Sequence, residues 1–585
     1  MDDVTSLAIA AARPPGSRWP EAEGWHALDQ ALHALQGRFT LGLSPATLWL
    51  AHLDWAVHLA NSPFRRAELA ERALAQAARA VQAAGGAQVI APPAGDHRFA
   101  DPAWQAAPFA FLQQLFLLAE EWWASAAAGP EGMSARNARI VPFAIRQWVD
   151  MFSPSNVPWL NPEVINATLH SGGANLLAGA SHVLSDLQEH LAGQPLAGRG
   201  GFAVGENLAV TPGKVVLRTR LIELIQYAPT TAAVRGEPVL IIPAWIMKYY
   251  ILDLSPHNSL IRYLVGQGYT VFAISWRNPG AELRDATLED YRTQGVMAAL
   301  DAVGTITGAA RIHGAGYCLG GTLLAIAAAA MARDGDERLA SLTLLAAQTE
   351  FSEAGELQLF IGKDQLAFLS DMMHEQGYLD SRQMAGAFQL LRSNDLIWSR
   401  SIRSYLLGER EMPNDLMTWN ADGTRMPAAM HSEYLTRLYH DDDLAEGRFP
   451  AGGRPVSLSD VHRIPAFVVG TETDHVAPWR SVHKLHLLED GEITFVLTSG
   501  GHNAGIVSEP GHPNRHFRRL LRPAEGRYVG PDEWLERAER HEGSWWPAWV
   551  KWLDARSGPP APPPPLGHAR YRPIMDAPGS YVREH

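Results

Sequence analysis

The sequence predicts an α/β fold: a doubly wound, largely parallel sheet behind a mostly helical N-terminal domain, with a cap inserted over the sheet. Three observations carry this. Short apolar runs alternate with helical patterns from about residue 215 onwards. The first 200 residues instead space their apolar side chains at helical period. Between two strand-like runs lie residues 350–454, mostly helical and irregular in pattern, and too many for a structureless loop.

Taken in order, SPATLWLAHLDWAVHLANSPFRRAELAERALAQAARAVQAA (44–84) has serine caps, apolar residues at helical spacing and a stop at Gly85-Gly86. PFAFLQQLFLLAEEWWASAAAG (108–129) is a second helical stretch. VPFAIRQWVDMF (141–152) is a third, stopped by Ser153-Pro154-Ser155-Asn156. The character changes near Gly200. VVLRTRLIELIQYAP (215–229) suits an antiparallel pair. VLIIPAW (239–245), YTVFAISWRNPG (269–280), RIHGAGYCLGG (311–321), SLTLLAAQTEF (341–351), PAFVVGTETD (465–474) and ITFVLTSGGH (493–502) then read as buried strands and complete the expected set. The expected organisation is a helical domain over 1–200, a catalytic core over 201–349 and 455–556, a cap over 350–454 and a Pro-rich, extended tail over 557–585.

Composition narrows the function. Apolar residues make up 46% of the chain and charged residues 19%, so there is ample material for a core and global disorder is excluded. The net charge of −13, with no basic run, argues against a nucleic-acid partner. The single cysteine, Cys318, excludes an intramolecular disulfide and a cysteine-based zinc site, and suits a cytoplasmic protein. The N-terminus opens with acids and has no long apolar core, so no signal peptide is expected; no apolar run suggests a transmembrane helix. The 19 tryptophans cluster at Trp122-Trp123 and at Trp545, Trp546, Trp549 and Trp552. Core packing is the expected use, with an apolar-surface contact as the sharper alternative.

The strongest local signal is Gly316-Tyr317-Cys318-Leu319-Gly320 between a strand and an Ala-rich helix. It is a G-x-S-x-G nucleophile elbow with Cys in place of Ser. An acid and a histidine should follow in that order. Asp474 and His502 each end one of two successive strands, where α/β sheets build their sites. Asp474 would orient the imidazole, and His502 would take the thiol proton. Glu472 is the rival acid. His475 and His313 read as structural, and His440 beside Asp441-Asp442-Asp443 as a solvated acidic loop, not a metal site. No metal is expected. The oxyanion N–H groups should come from Leu319 and from the loop after the third strand, at Ile246. Cysteine in place of serine favours acyl transfer from a thioester, because exchange between thioesters is near thermoneutral.

Longer stretches resemble the polyhydroxyalkanoate synthases. They include PAWIMKYYILDL (243–254), ISWRNP (274–279) and HGAGYCLGG (313–321). In the cap they are SNDLIW (393–398), YLLGE (405–409) and WNADGTRMPAAMH (419–431). Elsewhere they are FADPAWQ (99–105), SPSNVPWLNPEV (153–164), GGFAVGENLAVTPG (200–213), GSWWPAWVKWLDARSG (543–558) and PGSYV (578–582). The resemblance covers nearly the whole chain from about residue 40 and points to the single-subunit kind. It implies an α/β-hydrolase fold and polymerisation of (R)-3-hydroxyacyl-CoA, with 3-hydroxybutyryl-CoA the expected substrate and CoA released. Cys318 would carry the chain, His502 act as base and Asp474 assist at the incoming 3-hydroxyl. CoA is substrate and product, so no separate cofactor is expected, and its contact residues are not assigned. The resemblance further implies a cytoplasmic protein at a polyester granule surface and a homodimer. Two departures stand out. Met247 replaces the family's usual Asn, and the segment after His502, Asn503-Ala504-Gly505-Ile506-Val507-Ser508-Glu509-Pro510-Gly511-His512, is more polar than usual. They motivate the alternatives of an acyl-CoA thioesterase or a single-transfer acyltransferase of the same fold; the Trp clusters and helical N-terminus motivate a non-catalytic granule coat.

Overall fold

The computed structural model describes residues 22–40, 42–93, 95–191, 201–381, 383–384, 397–410 and 412–585. The expectations for the first twenty residues, and most of the SNDLIW stretch, lie outside the described residues.

Strands β1 (Gly213–Arg218), β2 (Ile222–Tyr227), β3 (Val239–Ile242), β4 (Val271–Trp276), β5 (Ile312–Tyr317) and β6 (Leu339–Leu345) precede the cap. Two short ribbons follow, β7 (Tyr378–Leu379) with β8 (Met426–Pro427) and β9 (Pro450–Ala451) with β10 (Arg454–Pro455). Then come β11 (Ala466–Thr471), β12 (Ile493–Thr498), β13 (His516–Arg522), β14 (Glu539–Glu542) and β15 (Met575–Asp576). The large sheet runs β14-β13-β12-β11-β6-β5-β3-β4-β2-β1-β15 among the described residues. Its middle, from β4 to β12, is parallel, and both flanks are antiparallel. The parallel strands are buried on both faces, which is why they read as unbroken apolar runs.

The expected strand set was incomplete. β13, HFRRLLR, and β14, ERHE, extend the sheet beyond β12. Near the edge, half-exposed positions accept arginine and glutamate, so the apolar signal is lost. The Pro-rich C-terminal segment is extended but packed, not a free tail. Ala561 bridges Val234, β15 pairs with β1, and Tyr581 and Val582 are buried.

Helices α1 (Ala22–Phe39), α2 (Pro45–Ala60), α3 (Pro63–Ala84), α4 (Phe109–Ala127), α5 (Asn137–Met151), α6 (Pro162–Ser171) and α7 (Ala174–Leu191) form the N-terminal region. The stretch expected as one helical unit over 44–84 breaks at Asn61-Ser62. Pro63 disfavours helix at the residue before it and opens the next helix itself. Ser44 caps by position only. Its side chain makes no cap bond, and its N–H donates to Gln365 Oε1 at 2.8 Å.

That last bond crosses to the cap, and others do too. His33 Nδ1 meets Asp371 at 2.8 Å, Arg136 donates to Asp364 at 2.7 Å, and Asn175 donates to Leu406 O at 2.8 Å. Tyr405 donates to Asp186 at 2.9 Å. The helical domain thus rests on the cap. Trp545, Trp546, Trp549 and Trp552 are core, whereas Trp49, Trp148 and Trp159 of the helical region are exposed.

Candidate active site

The elbow lies where β5 meets the helix Leu319–Asp334. Cys318 adopts φ 52° and ψ −125°, a conformation an L-residue holds only when its surroundings enforce it. The flanking glycines are explained by crowding. A Cβ at Gly320 would overlap the carbonyl oxygens of Ile242 and Pro243, and one at Gly316 would overlap the Gly321 backbone. The elbow is pressed against β3, and only bare backbone fits. Cys318 itself is 8% exposed.

Asp474 follows β11 and is buried. Its Oδ2 accepts from Thr471 Oγ1 and from His502 Nδ1, both at 2.8 Å. Its Oδ1 accepts from the N–H groups of Val476 at 2.9 Å and Ala477 at 2.8 Å. Four donors occupy the roughly four lone-pair positions of a carboxylate. Burial alone would raise this carboxyl, but the His502 charge and these bonds outweigh it and hold it below its ordinary value. Burial alone would push His502 down. The charges of Cys318 and Asp474, with the hydrogen bond to Asp474, instead hold its imidazole well above the ordinary value. Asp474 is thus hydrogen-bonded to His502, and Cys318 lies near enough for its charge to act on the imidazole. In such an arrangement a thiol can give its proton to an imidazole that a carboxylate orients.

The cysteine opens on a cavity of about 30 Å³, lined among others by Ile246, Leu319, Tyr434, Tyr439, Phe351 and Val476. That is room for about one water. Both expected oxyanion residues face it, and Leu319 lies in the first helical turn, where N–H groups lack intrahelical acceptors. Met247 does not line the cavity. It bridges Gly423 of the cap, so the departure from the family pattern bears on cap seating.

Glu472 pairs with His516 at 3.1 Å, away from His502. His475 is exposed. His313 is buried between Ser341 Oγ at 2.7 Å and Ser557 Oγ at 3.1 Å, and burial pushes its imidazole down to about 4. His440 meets Asp441 at 2.7 Å at the surface. The neighbouring Asp443 is buried and held by Arg437 and Arg448, so the acidic loop is not wholly solvated. No group of three metal-ligating side chains occurs among the described residues. Sequence reasoning missed Tyr434 and Tyr439 of the cap. Their rings are 5.3 Å apart, and both phenols are held high, chiefly by burial.

Comparison with known proteins bears on what this site is for. The family "Poly-beta-hydroxybutyrate polymerase (PhaC) N-terminus" matches residues 95–264, and "Poly-beta-hydroxybutyrate polymerase N terminal" matches 23–65. The "alpha/beta hydrolase fold" family matches 237–509. The poly(3-hydroxyalkanoate) polymerase of Methylorubrum extorquens is 39% identical over 96% of this chain and 88% of its own. The polymerase subunit of Rhizobium meliloti is 38% identical over 83% and 79%, and that of Cupriavidus necator 36% over 84% and 83%. The chain belongs to the poly(3-hydroxyalkanoate) polymerase family. Its core is an α/β-hydrolase fold, and the relatives extend across the helical domain and the cap as well. Among the described residues of this polymerase-family chain, no helix is long and apolar enough to cross a membrane.

Proposed function

We propose that this acyltransferase polymerises (R)-3-hydroxyacyl-CoA, with 3-hydroxybutyryl-CoA the leading substrate, through a thioester on Cys318. The observation that carries the reading is the joined set of Cys318, His502 and Asp474 at the end of a family-typical sheet. His502 accepts the thiol proton as Cys318 Sγ attacks the thioester carbonyl. Leu319 and Ile246 N–H groups receive the developing oxyanion. The C–S bond to CoA breaks, and His502 returns the proton to the departing thiolate. His502 then takes the proton of the 3-hydroxyl of an incoming acyl-CoA, whose oxygen attacks the acyl-Cys carbonyl. The bond to Cys318 Sγ breaks, and His502 returns the proton to that sulfur. The lengthened chain, now the acyl group of the incoming CoA thioester, is taken back onto Cys318 by a further thioester exchange that releases CoA. CoA enters and leaves with the substrate, and the sequence of steps calls for no resident cofactor.

The family resemblance assigns Asp474 to the incoming 3-hydroxyl. Its four filled acceptor positions favour action through His502 instead. Asp474→Asn should then slow the first acylation and elongation alike, measured by single-turnover acylation and by steady-state CoA release. The 30 Å³ cavity is far below the several hundred Å³ of an occupied ligand pocket, so the cap must shift to admit an acyl chain. The exposed apolar side chains of the helical domain fit a polyester granule surface, and the same reading includes a homodimer. The test is CoA release from (R)-3-hydroxybutyryl-CoA with the product sized in the same tube. High-mass polyester with stoichiometric CoA is expected; CoA with only free 3-hydroxybutyrate would make the protein a thioesterase.

A further inference from the structure

Tyr317 stands between the nucleophile and the base without being either. It is the last residue of β5, next to Cys318, and is buried. Its ring centroid lies 5.6 Å from that of His502, with the planes tilted by 36°. Its hydroxyl donates to Asn503 Oδ1 at 2.6 Å. Burial, with the charges of Cys318 and Asp474, holds the phenol well above its ordinary value, so it serves as a neutral donor.

The contact joins two strand ends that β6 and β11 keep apart in the sheet. It also answers a geometric need. One hydrogen bond, from Nδ1 to Asp474, fixes a point of the His502 ring but leaves rotation about that bond. A second contact must set the plane. Tyr317 supplies it twice over, by its ring against the imidazole and by its hydroxyl to the very next residue. The Asn503 backbone carbonyl, distinct from the Oδ1 that Tyr317 reaches, accepts from Ile506 N at 3.1 Å and Val507 N at 2.9 Å, so the turn after His502 is braced from both sides. The polar segment after His502 thereby gains a reason: Asn503 is the acceptor that a Tyr, but not a Phe, at position 317 requires.

We propose that Tyr317 is a positioning residue for His502, its hydroxyl locking the base-bearing turn to the elbow through Asn503. The inference rests on reading Cys318 as nucleophile and His502 as base. The titratable groups that face the imidazole are Cys318, Asp474 and Tyr317.

The test uses the full chain with Tyr317→Phe, Asn503→Leu, the double variant, and His502→Gln as reference. Two rates are read across pH: CoA release from (R)-3-hydroxybutyryl-CoA and alkylation of Cys318 by iodoacetamide. Each single variant leaves the other partner unsatisfied: the half-buried Asn503 Oδ1 in Tyr317→Phe, the buried Tyr317 hydroxyl in Asn503→Leu. Each should lower kcat roughly threefold to tenfold with KM little changed, and slow alkylation at neutral pH by a similar factor. The double variant replaces both partners with apolar groups, so it should be no slower than the worse single variant. Wild-type rates in Tyr317→Phe would overturn the proposal, as would losses that multiply in the double variant. A loss matched by an equal fall in melting temperature would also overturn it, because that is packing alone. If His502→Gln leaves the alkylation profile unchanged, the base reading itself fails. If His502→Gln changes it and Tyr317→Phe does not, only the positioning role fails.

Discussion

Around Cys318 nearly everything is covered: Cys318 itself is 8% exposed, and the Asp474 side chain is wholly buried. On α2 and α3, by contrast, Trp49 is 76% and Phe64 88% exposed. The two regions belong to one chain, and among the described residues the helical region meets the cap through hydrogen bonds, such as those of Gln365 and Asp364, and through an apolar cluster that includes Leu359. The difference teaches where each kind of residue earns its place. At the sheet end, geometry dictates identity, because crowding leaves room for glycine alone at 316 and 320. On the helices, large apolar side chains stand in water that a folded monomer has no reason to present, which suits a surface meant to be covered.

The sharpest way to break this comparison is at the sheet end. Cys318→Ala should abolish acylation, and His502→Gln should lower it on the order of 10²-fold or more, measured as CoA release at unchanged melting temperature. Residual release near the wild-type rate from either would remove the sheet end from the chemistry.

The next test is within the helical domain. Arg98 is buried and donates to Asp96 and Asp150 at 2.8 Å and to Glu120 at 2.9 Å. Burial, only partly offset by Arg98, already raises the Asp150 carboxyl. Arg98→Met strands these carboxylates and should cost about 3–5 kcal/mol, seen as earlier melting of the helical domain. Acylation of Cys318 below that transition should persist if the two regions are as separate as the contacts suggest.

Acid should sharpen the contrast. Burial pushes His313, His431 and His483, all in core or cap, down to about 4. In the unfolded chain they titrate near 6.5, so between these values the unfolded state binds more protons. Stability should therefore fall as pH drops from about 6.5 towards about 4. His483→Leu, which removes a ring with neither nitrogen paired, should make the slope shallower in a Tm-against-pH series. A steeper or unchanged slope would contradict the account.

The smallest effect is expected at the exposed face. Trp49→Ser with Phe64→Ser should change stability by no more than about 0.5 kcal/mol per site and leave initial CoA release intact. On the proposed granule reading, sedimentation with polyester granules should weaken; undiminished sedimentation would remove this face from that reading.

Much of this was legible in the sequence, for physical reasons that differ by region. The parallel strands are buried on both faces, so VLII and AFVVGT announce themselves without a partner in view. The elbow is legible because backbone crowding is written directly as glycine. β13 escaped because its arginines occupy half-exposed positions near an edge. The break before Pro63 follows a local rule present in the sequence, which the apolar period continuing across it conceals. Tyr434, Tyr439 and the Tyr317–Asn503 bond could not be seen, since contacts spanning more than a hundred residues leave no periodic trace. Asn503 did show as an oddity beside His502, and its partner explains it.

The central claim is a growing chain held on Cys318. Its most direct test is peptide mass analysis after rapid acid quenching of the protein mixed with (R)-3-hydroxybutyryl-CoA. The account predicts one or more 3-hydroxybutyryl units on the peptide containing Cys318, and none on that peptide in Cys318→Ala. Polymer formed by the wild-type protein with that peptide unmodified at every quench time would contradict it.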